Sequence, residues 1–392
     1  MTHYRYLIIG GGMTADAAVR GIRELDPKGA LGIIGAESDP PYARPPLSKA
    51  LWKGEPLESV WRKTSEAGAD LHLGRRATTL DPRKKRVLDD RGGEYSFDKL
   101  LLATGGTSRR LPFGGDSVIY FRTLDDYRRL RALATEPKTF AVIGGGFIGS
   151  EIAAALALQG CQVTMLFPEA GIGARVFPSD LARFLVGYYA EKGVDSWPGE
   201  SVIAMSQQRG KTVLAMQSGR TLTVDAVVAG IGITPNTDLA RAGGLGIDDG
   251  IVVDSQLRTT HPDVFAAGDV ARFEAPGLGT RIRVEHEDNA LTMGRAAGRS
   301  MAGDSSPYIH VPFFYSDLFE LGYEAVGEMD PRGETLADWK EPFREGVVYY
   351  LRDGRVRGVL LWNVWGQVEA ARQLIAEPGP FTAQALRGRL PA

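Results

Sequence analysis

Two glycine triplets carry the first chemical signal. Gly10-x-Gly12-x-x-Ala15 lies in YLIIGGGMTADAAVRGI, residues 6–22, and Gly144-x-Gly146-x-x-Gly149 lies in FAVIGGGFIGSEIAAAL, residues 140–156. In each, the first glycine permits a tight turn. The second lets the backbone approach a pyrophosphate, and the third small residue lets helix and strand pack closely. Orphan N–H groups and the positive dipole end at the helix start then favour a diphosphate. A carboxylate follows each triplet, Glu37 at 27 residues from Gly10 and Glu169 at 25 from Gly144. Glu37 can accept both hydroxyls of a ribose. Phe167 stands where a ribose acid is usual after the second strand, and Glu169 follows two residues later. A Glu169 that reaches the ribose would repel a 2′-phosphate and select NADH over NADPH. Arg175, six residues on, works against that selection, and a solvated turn is the alternative role for Glu169.

Positioning these residues needs a strand before each triplet, a helix after it and a second strand beyond. The second strands read as ALGIIGAE (30–37) and CQVTMLFPE (161–169). KLLLATGG (99–106) returns to the first fold and DAVVAGIGITPN (225–236) to the second. Two βαβ units mean two nucleotide-binding folds with parallel sheets. Two dinucleotide sites in one chain suggest a hydride relay, with FAD at the first and NAD(P)H at the second. DVFAAGDV (263–270) can aim Asp269 and a helix start at the flavin's ribityl chain and pyrophosphate, and HEDNALTMGRAAGRSMAG (286–303) reads as a helix. The last stretch is richer in short β runs, with Asp353-Gly354 marking a hairpin and a helix over roughly 366–377. The expected fold class is α/β, two Rossmann-like nucleotide-binding domains plus a C-terminal α+β domain. The expected boundaries are 1–113 with 233–311 for FAD, 114–232 for NAD(P), and 312–392 for the C-terminal domain.

Composition bounds the function. With 392 residues, 43% hydrophobic and 24% charged, the chain is an ordinary globular protein. A formal charge of −2 supplies no global basic field for nucleic acid or an anionic membrane. No apolar run approaches ~18 residues, and MTHYRYLIIGGG lacks the regions of a signal peptide. A cytoplasmic monomer or homodimer is expected. The single cysteine, Cys161, excludes intramolecular dithiol chemistry and a cysteine-rich metal site, and the five histidines show no metal-ligand spacing. No metal is expected.

The chain resembles the FAD-dependent pyridine-nucleotide oxidoreductases of the glutathione-reductase fold. Within them it is similar to ferredoxin reductases of oxygenase systems and to the apoptosis-inducing-factor branch. The resemblance rests on PPYARPPLSKALW (40–52), LFPEAGIGARVFP (166–178), RVEHEDNA (283–290), PFFYSDL (312–318), GYEAVG (322–327) and GVVYYLRDGRVRGVLLWN (346–363). It implies that Arg44, Lys49, Arg122 and Asp269 hold FAD, with Glu37 on its adenosine ribose, Ala77 by the adenine, and Glu285, His286 and Tyr315 also on the FAD side. It implies that Gly145, Gly146, Phe147 and Ile148 line the NAD pyrophosphate and nicotinamide. Glu169 and Arg175 take the ribose side, and Gly232, Glu285, Glu324 and Asn363 lie near NAD.

In such proteins a lysine–glutamate pair, here Lys49 and Glu151, meets beside flavin N5, where the lysine stabilises developing negative charge. Phe147 reads equally as a gate between the rings and as a core residue. Tyr315 stands where the family usually has tryptophan, and Ser48 occupies the stretch where disulfide reductases carry their cysteine.

The implied activity is NADH-dependent FAD reduction followed by single-electron delivery to an acidic [2Fe–2S] ferredoxin, or a rubredoxin, serving a P450 or Rieske oxygenase. Arg109-Arg110, and Arg295 or Arg299, are the candidate basic docking residues. The alternative is a redox-responsive protein of the apoptosis-inducing-factor kind. It would hold a long-lived charge-transfer complex of reduced FAD and NAD⁺ and react slowly with oxygen.

Overall fold

The structure is a computed structural model and describes residues 1–391. The chain divides into two compact units. One comprises residues 1–43, 57–107 and 234–313, and the other 44–56, 108–233 and 314–392.

The first unit is built on β1 (Thr2–Ile9), α1 (Met13–Leu25), β2 (Leu31–Ile34), β3 (Asp70–His72), β4 (Ala77–Asp81), β5 (Arg86–Asp89) and β6 (Glu94–Leu102). Its sheet runs β3-β2-β1-β6-β5-β4, and the strand Val264–Ala266 also pairs with β6. β3, β2, β1, β6 and Val264–Ala266 are mutually parallel, while β5 and β4 continue from β6 antiparallel. β2, the strand Val264–Ala266 and the C-terminal ends of β1 and β6 are buried throughout, so they read as unbroken apolar runs rather than alternating ones. Leu7, Ile8, Ile33, Leu100 and Leu101 are all buried. α1 presents Val19 and Ile22 to this core.

The second unit contains a five-stranded sheet in the order Val194–Pro198, Gln162–Phe167, Thr139–Ile143, Ala226–Ala229, Val118–Tyr120, parallel throughout. The helix Phe147–Leu158 follows its central strand. A three-stranded antiparallel meander spans Val202–Gln208, Lys211–Met216 and Thr221–Val224. The C-terminal part is a five-stranded sheet in the order Phe313–Leu318, Leu321–Gly327, Arg355–Trp362, Glu345–Arg352, Glu334–Glu341, closed by the helix Val368–Ala376. Asp353 and Gly354 both adopt positive φ, 53° and 70°, at the tip of the last hairpin. That is the two-residue turn whose twist matches its flanking strands. The fold class is therefore α/β with two parallel nucleotide-type sheets and a C-terminal α+β part.

Among the described residues no helix is long and apolar enough to cross a membrane. No group of three or more His, Cys, Asp and Glu side chains among them could hold a metal ion.

Candidate functional site

In the first unit β1 runs into Gly10, which adopts φ +117°. A Cβ there would lie 2.0 Å from the carbonyl oxygen of Ala103, so both the dihedral and the contact require glycine. α1 starts on Gly12, whose side makes no cap, and a Cβ on Gly12 would meet nothing within 4 Å. The N-terminus of α1 thus opens onto clear space with its positive end uncapped by any side chain, which fits a dinucleotide pyrophosphate. Ala15 is fully buried. Glu37 stands just beyond β2 and accepts a 2.6 Å hydrogen bond from the Tyr42 hydroxyl.

Asp269 sits in the short helical turn Gly268–Val270, and its carbonyl accepts from Arg283 at 3.2 Å. Arg283 also pairs with Glu285 at 2.9 Å. His286 holds the position before the helix Glu287–Met301. Burial pushes its imidazole down, against the pull of Asp269 and Asp288. Ala77 opens β4 and pairs with Asp89. Trp61 lies edge-on to Tyr42 at 6.3 Å. Arg295 and Arg299 both bond Glu24, at 2.6 and 2.7 Å.

The second unit repeats the cradle. Gly144 has φ +116°, and a Cβ there would lie 2.4 Å from the carbonyl oxygen of Gly230. Gly146 starts the helix Phe147–Leu158 without a side-chain cap, and a Cβ on it would meet nothing within 4 Å. Gly145 packs against the Phe167 ring, and a Cβ on Gly149 would lie 1.9 Å from the Gly144 carbonyl oxygen. Ile148 is exposed. Phe147 is half-buried, its ring centroid 4.9 Å from that of Phe314. Glu169 Oε1 accepts from Arg175 Nε at 2.7 Å and pairs with Nη2 at 2.6 Å. Gly232 adopts φ +87°. Glu324 accepts from the Gly366 N–H at 3.2 Å. Asn363, with φ +51°, accepts from the Gly322 N–H and donates to the Arg344 carbonyl.

The residues 44–56 bring the charged pair together. Arg44 donates to the Arg122 carbonyl at 2.9 Å. Pro45–Ser48 and Ala50–Lys53 form two short helical turns with Lys49 at their junction. Trp52 anchors them, donating to the Leu47 carbonyl at 2.7 Å and accepting at its own carbonyl from Gln159 at 3.1 Å. Lys49 Nζ then meets Glu151 Oε1 at 2.5 Å, with the Tyr315 ring centroid 5.4 Å from the ammonium. Glu151 is 4% exposed. Ser48 Oγ donates to its Oε2 and Ser316 Oγ to its Oε1, each at 2.5 Å. Neither hydroxyl was anticipated as part of the site. The FYSD run was legible, but nothing in its spacing ties Ser316 to Glu151. Cys161 is buried, 4.0 Å from the Glu136 carbonyl.

Residues 4–294 match the family model of the pyridine nucleotide-disulphide oxidoreductases. The chain belongs to this family. Residues 334–377 match the model of the apoptosis-inducing factor, mitochondrion-associated, C-terminal region. This oxidoreductase is 32% identical over 416 residues to apoptosis-inducing factor 1, mitochondrial, of Dictyostelium discoideum, covering 95% of this chain and 78% of that protein. It is 33% identical over 385 residues to the ferredoxin–NAD(+) reductase component of the anthranilate 1,2-dioxygenase system of Burkholderia cepacia, covering 95% and 94%. The structure of putidaredoxin reductase in its covalent complex with putidaredoxin superposes with a TM-score of 0.91 at 29% identity, covering 98% and 95% of the two chains. The oxidoreductase thus uses FAD and NAD(P)H, and both glycine cradles fit such ligands. It departs from the disulphide chemistry in the family's name. Its one cysteine is buried, and the Ser48 hydroxyl donates to a carboxylate.

Proposed function

We propose that this oxidoreductase takes reducing equivalents from NADH and delivers them singly to a small acidic electron carrier, a [2Fe–2S] ferredoxin or a rubredoxin, serving a P450 or Rieske oxygenase. The observation that carries this reading is the 2.5 Å Lys49–Glu151 pair, held on a carboxylate saturated by hydroxyls. When bound, FAD accepts a hydride from the nicotinamide and releases electrons one at a time.

The chain's own residues bind, orient and stabilise. The Gly10–Gly12 turn and the start of α1 hold the FAD pyrophosphate, Glu37 the adenosine ribose, and Arg44, Arg122 and Asp269 further polar groups. The Gly144–Gly146 turn holds the NADH pyrophosphate, and Phe147 covers the nicotinamide side. Lys49 supplies a fixed positive charge where negative charge develops, and Glu151 fixes Lys49. Glu169 accepts the ribose hydroxyls and disfavours a 2′-phosphate. The three domains bounded at 113, 232 and 311 divide these tasks. We place the protein in the cytoplasm as a monomer or homodimer without a nucleic-acid partner.

The likeness to apoptosis-inducing factor supports a second reading, a protein that stays reduced with NAD⁺ bound and changes its partners in that state. Anaerobic titration with NADH, then air, separates the two. Rapid reoxidation, fast NADH-driven reduction of an acidic [2Fe–2S] ferredoxin and slow reduction with NADPH are expected. Survival of the bleached state for many minutes in air, with a long-wavelength band, overturns the first reading in favour of the second. No bleaching by either nucleotide overturns both.

A further inference from the structure

Glu151 accepts three donors, and only one of them is the cation. Lys49 and Ser316 share Oε1, and Ser48 takes Oε2. Ser316 is 1% exposed. The Ser316 hydroxyl donates to Oε1, so its single proton points at the carboxylate.

The strand that carries Ser316 makes contacts at four successive positions. Phe314 meets Phe147, Tyr315 meets Lys49, Ser316 meets Glu151, and Asp317 pairs with Lys53 at 3.1 Å. A glutamate side chain with a single partner turns about its last torsions. With a donor fixed on each oxygen it does not, and the ammonium it holds inherits that fixity.

We propose that Ser316 is a positioning residue for the Lys49–Glu151 pair. The proposal rests on the reading that Lys49 serves the flavin.

The test uses the FAD-loaded protein with Ser316→Ala, Ser316→Thr and Lys49→Ala. Four quantities are measured: the FAD midpoint potential without NADH, kcat and KM for flavin reduction by NADH, and the melting temperature. Losing the serine hydroxyl leaves more uncompensated negative charge on Glu151 beside Lys49. Ser316→Ala therefore shifts the potential to more negative values and lowers kcat roughly tenfold with KM unchanged. Ser316→Thr restores native behaviour. A lowered melting temperature in Ser316→Ala with native potential and native kcat overturns the proposal and leaves Ser316 a packing residue. Lys49→Ala separates the two levels. If it moves neither potential nor kcat, the reading of Lys49 itself falls. If it moves both while Ser316→Ala moves neither, only the present proposal falls.

Discussion

The Lys49 ammonium meets the Glu151 carboxylate at 2.5 Å across 102 positions of chain. Lys49 keeps 13% of its side chain exposed and Glu151 4%, so the pair has one open side and one closed side. A charge so placed can act on a ligand without being diluted by water behind it.

Removing the cation is the direct test of its role. Lys49→Ala is expected to slow anaerobic flavin reduction by NADH about a hundredfold while FAD remains bound. Glu151→Gln should follow in the same direction with a smaller loss. Single-turnover reduction followed at the flavin absorbance reads both, and a native rate in Lys49→Ala removes the residue from the chemistry.

The two glycines of the first cradle should fail differently. Gly10→Ala forces a side chain into backbone at φ +117° and is expected to destabilise the fold by about 3 kcal/mol or more. Gly12→Val fills clear space, so the chain should fold and lose flavin instead. Urea denaturation and FAD titration of the two variants distinguish these outcomes.

Phe147 can gate or pack. Its half-buried ring on Phe314 favours a modest structural role. Phe147→Ala is expected to lower KM for NADH about threefold while costing only about 1 kcal/mol of stability. A large fall in melting temperature with KM unmoved would make it a core residue.

Glu169 is held by an Arg175 side chain that is 77% exposed. Their bond contributes under about 1 kcal/mol to stability, so its weight lies in ligand choice. Glu169→Ala should narrow the preference for NADH over NADPH about tenfold, read as the ratio of kcat/KM values. An unchanged ratio removes Glu169 from selectivity.

Asp89 sets an acid limit on the first unit. Burial alone would raise its carboxyl. Bonds from Arg75, the Gly93 N–H, Tyr95 and the Arg91 N–H outweigh burial and hold it well below the usual range. A folded-state value below the unfolded one means stability present above about pH 4 and lost as pH falls further. Asp89→Asn should cost about 2 kcal/mol at pH 7 and flatten that acid decline. Urea midpoints measured from pH 6 to pH 3 show whether the slope belongs to this group.

Both nucleotide folds were legible because glycines at fixed spacing leave few backbone alternatives. Gly10 and Gly144 sit in the conformation their spacing demands. The hairpin at Asp353-Gly354 was legible for the same reason. The membership of residues 44–56 in the second unit was not. Two proline-rich helical turns have no period that says which sheet they join. Lys49 and Glu151 were singled out through a family resemblance, since no local rule links residues 102 apart. Ser316 escaped notice because serine carries no spacing signature. Its meeting with Glu151 depends on the course of the strand Phe313–Leu318, which the sequence places only coarsely.

The chain passes between its two units five times, since each consists of three separate stretches. During synthesis Lys49 leaves the ribosome 102 residues ahead of Glu151, and Glu151 waits a further 165 for Ser316. Contacts of such sequence separation form late. The acid that steadies the lysine is therefore incomplete until the strand Phe313–Leu318 has emerged, and a nascent chain stalled before it carries both charges without the frame that joins them.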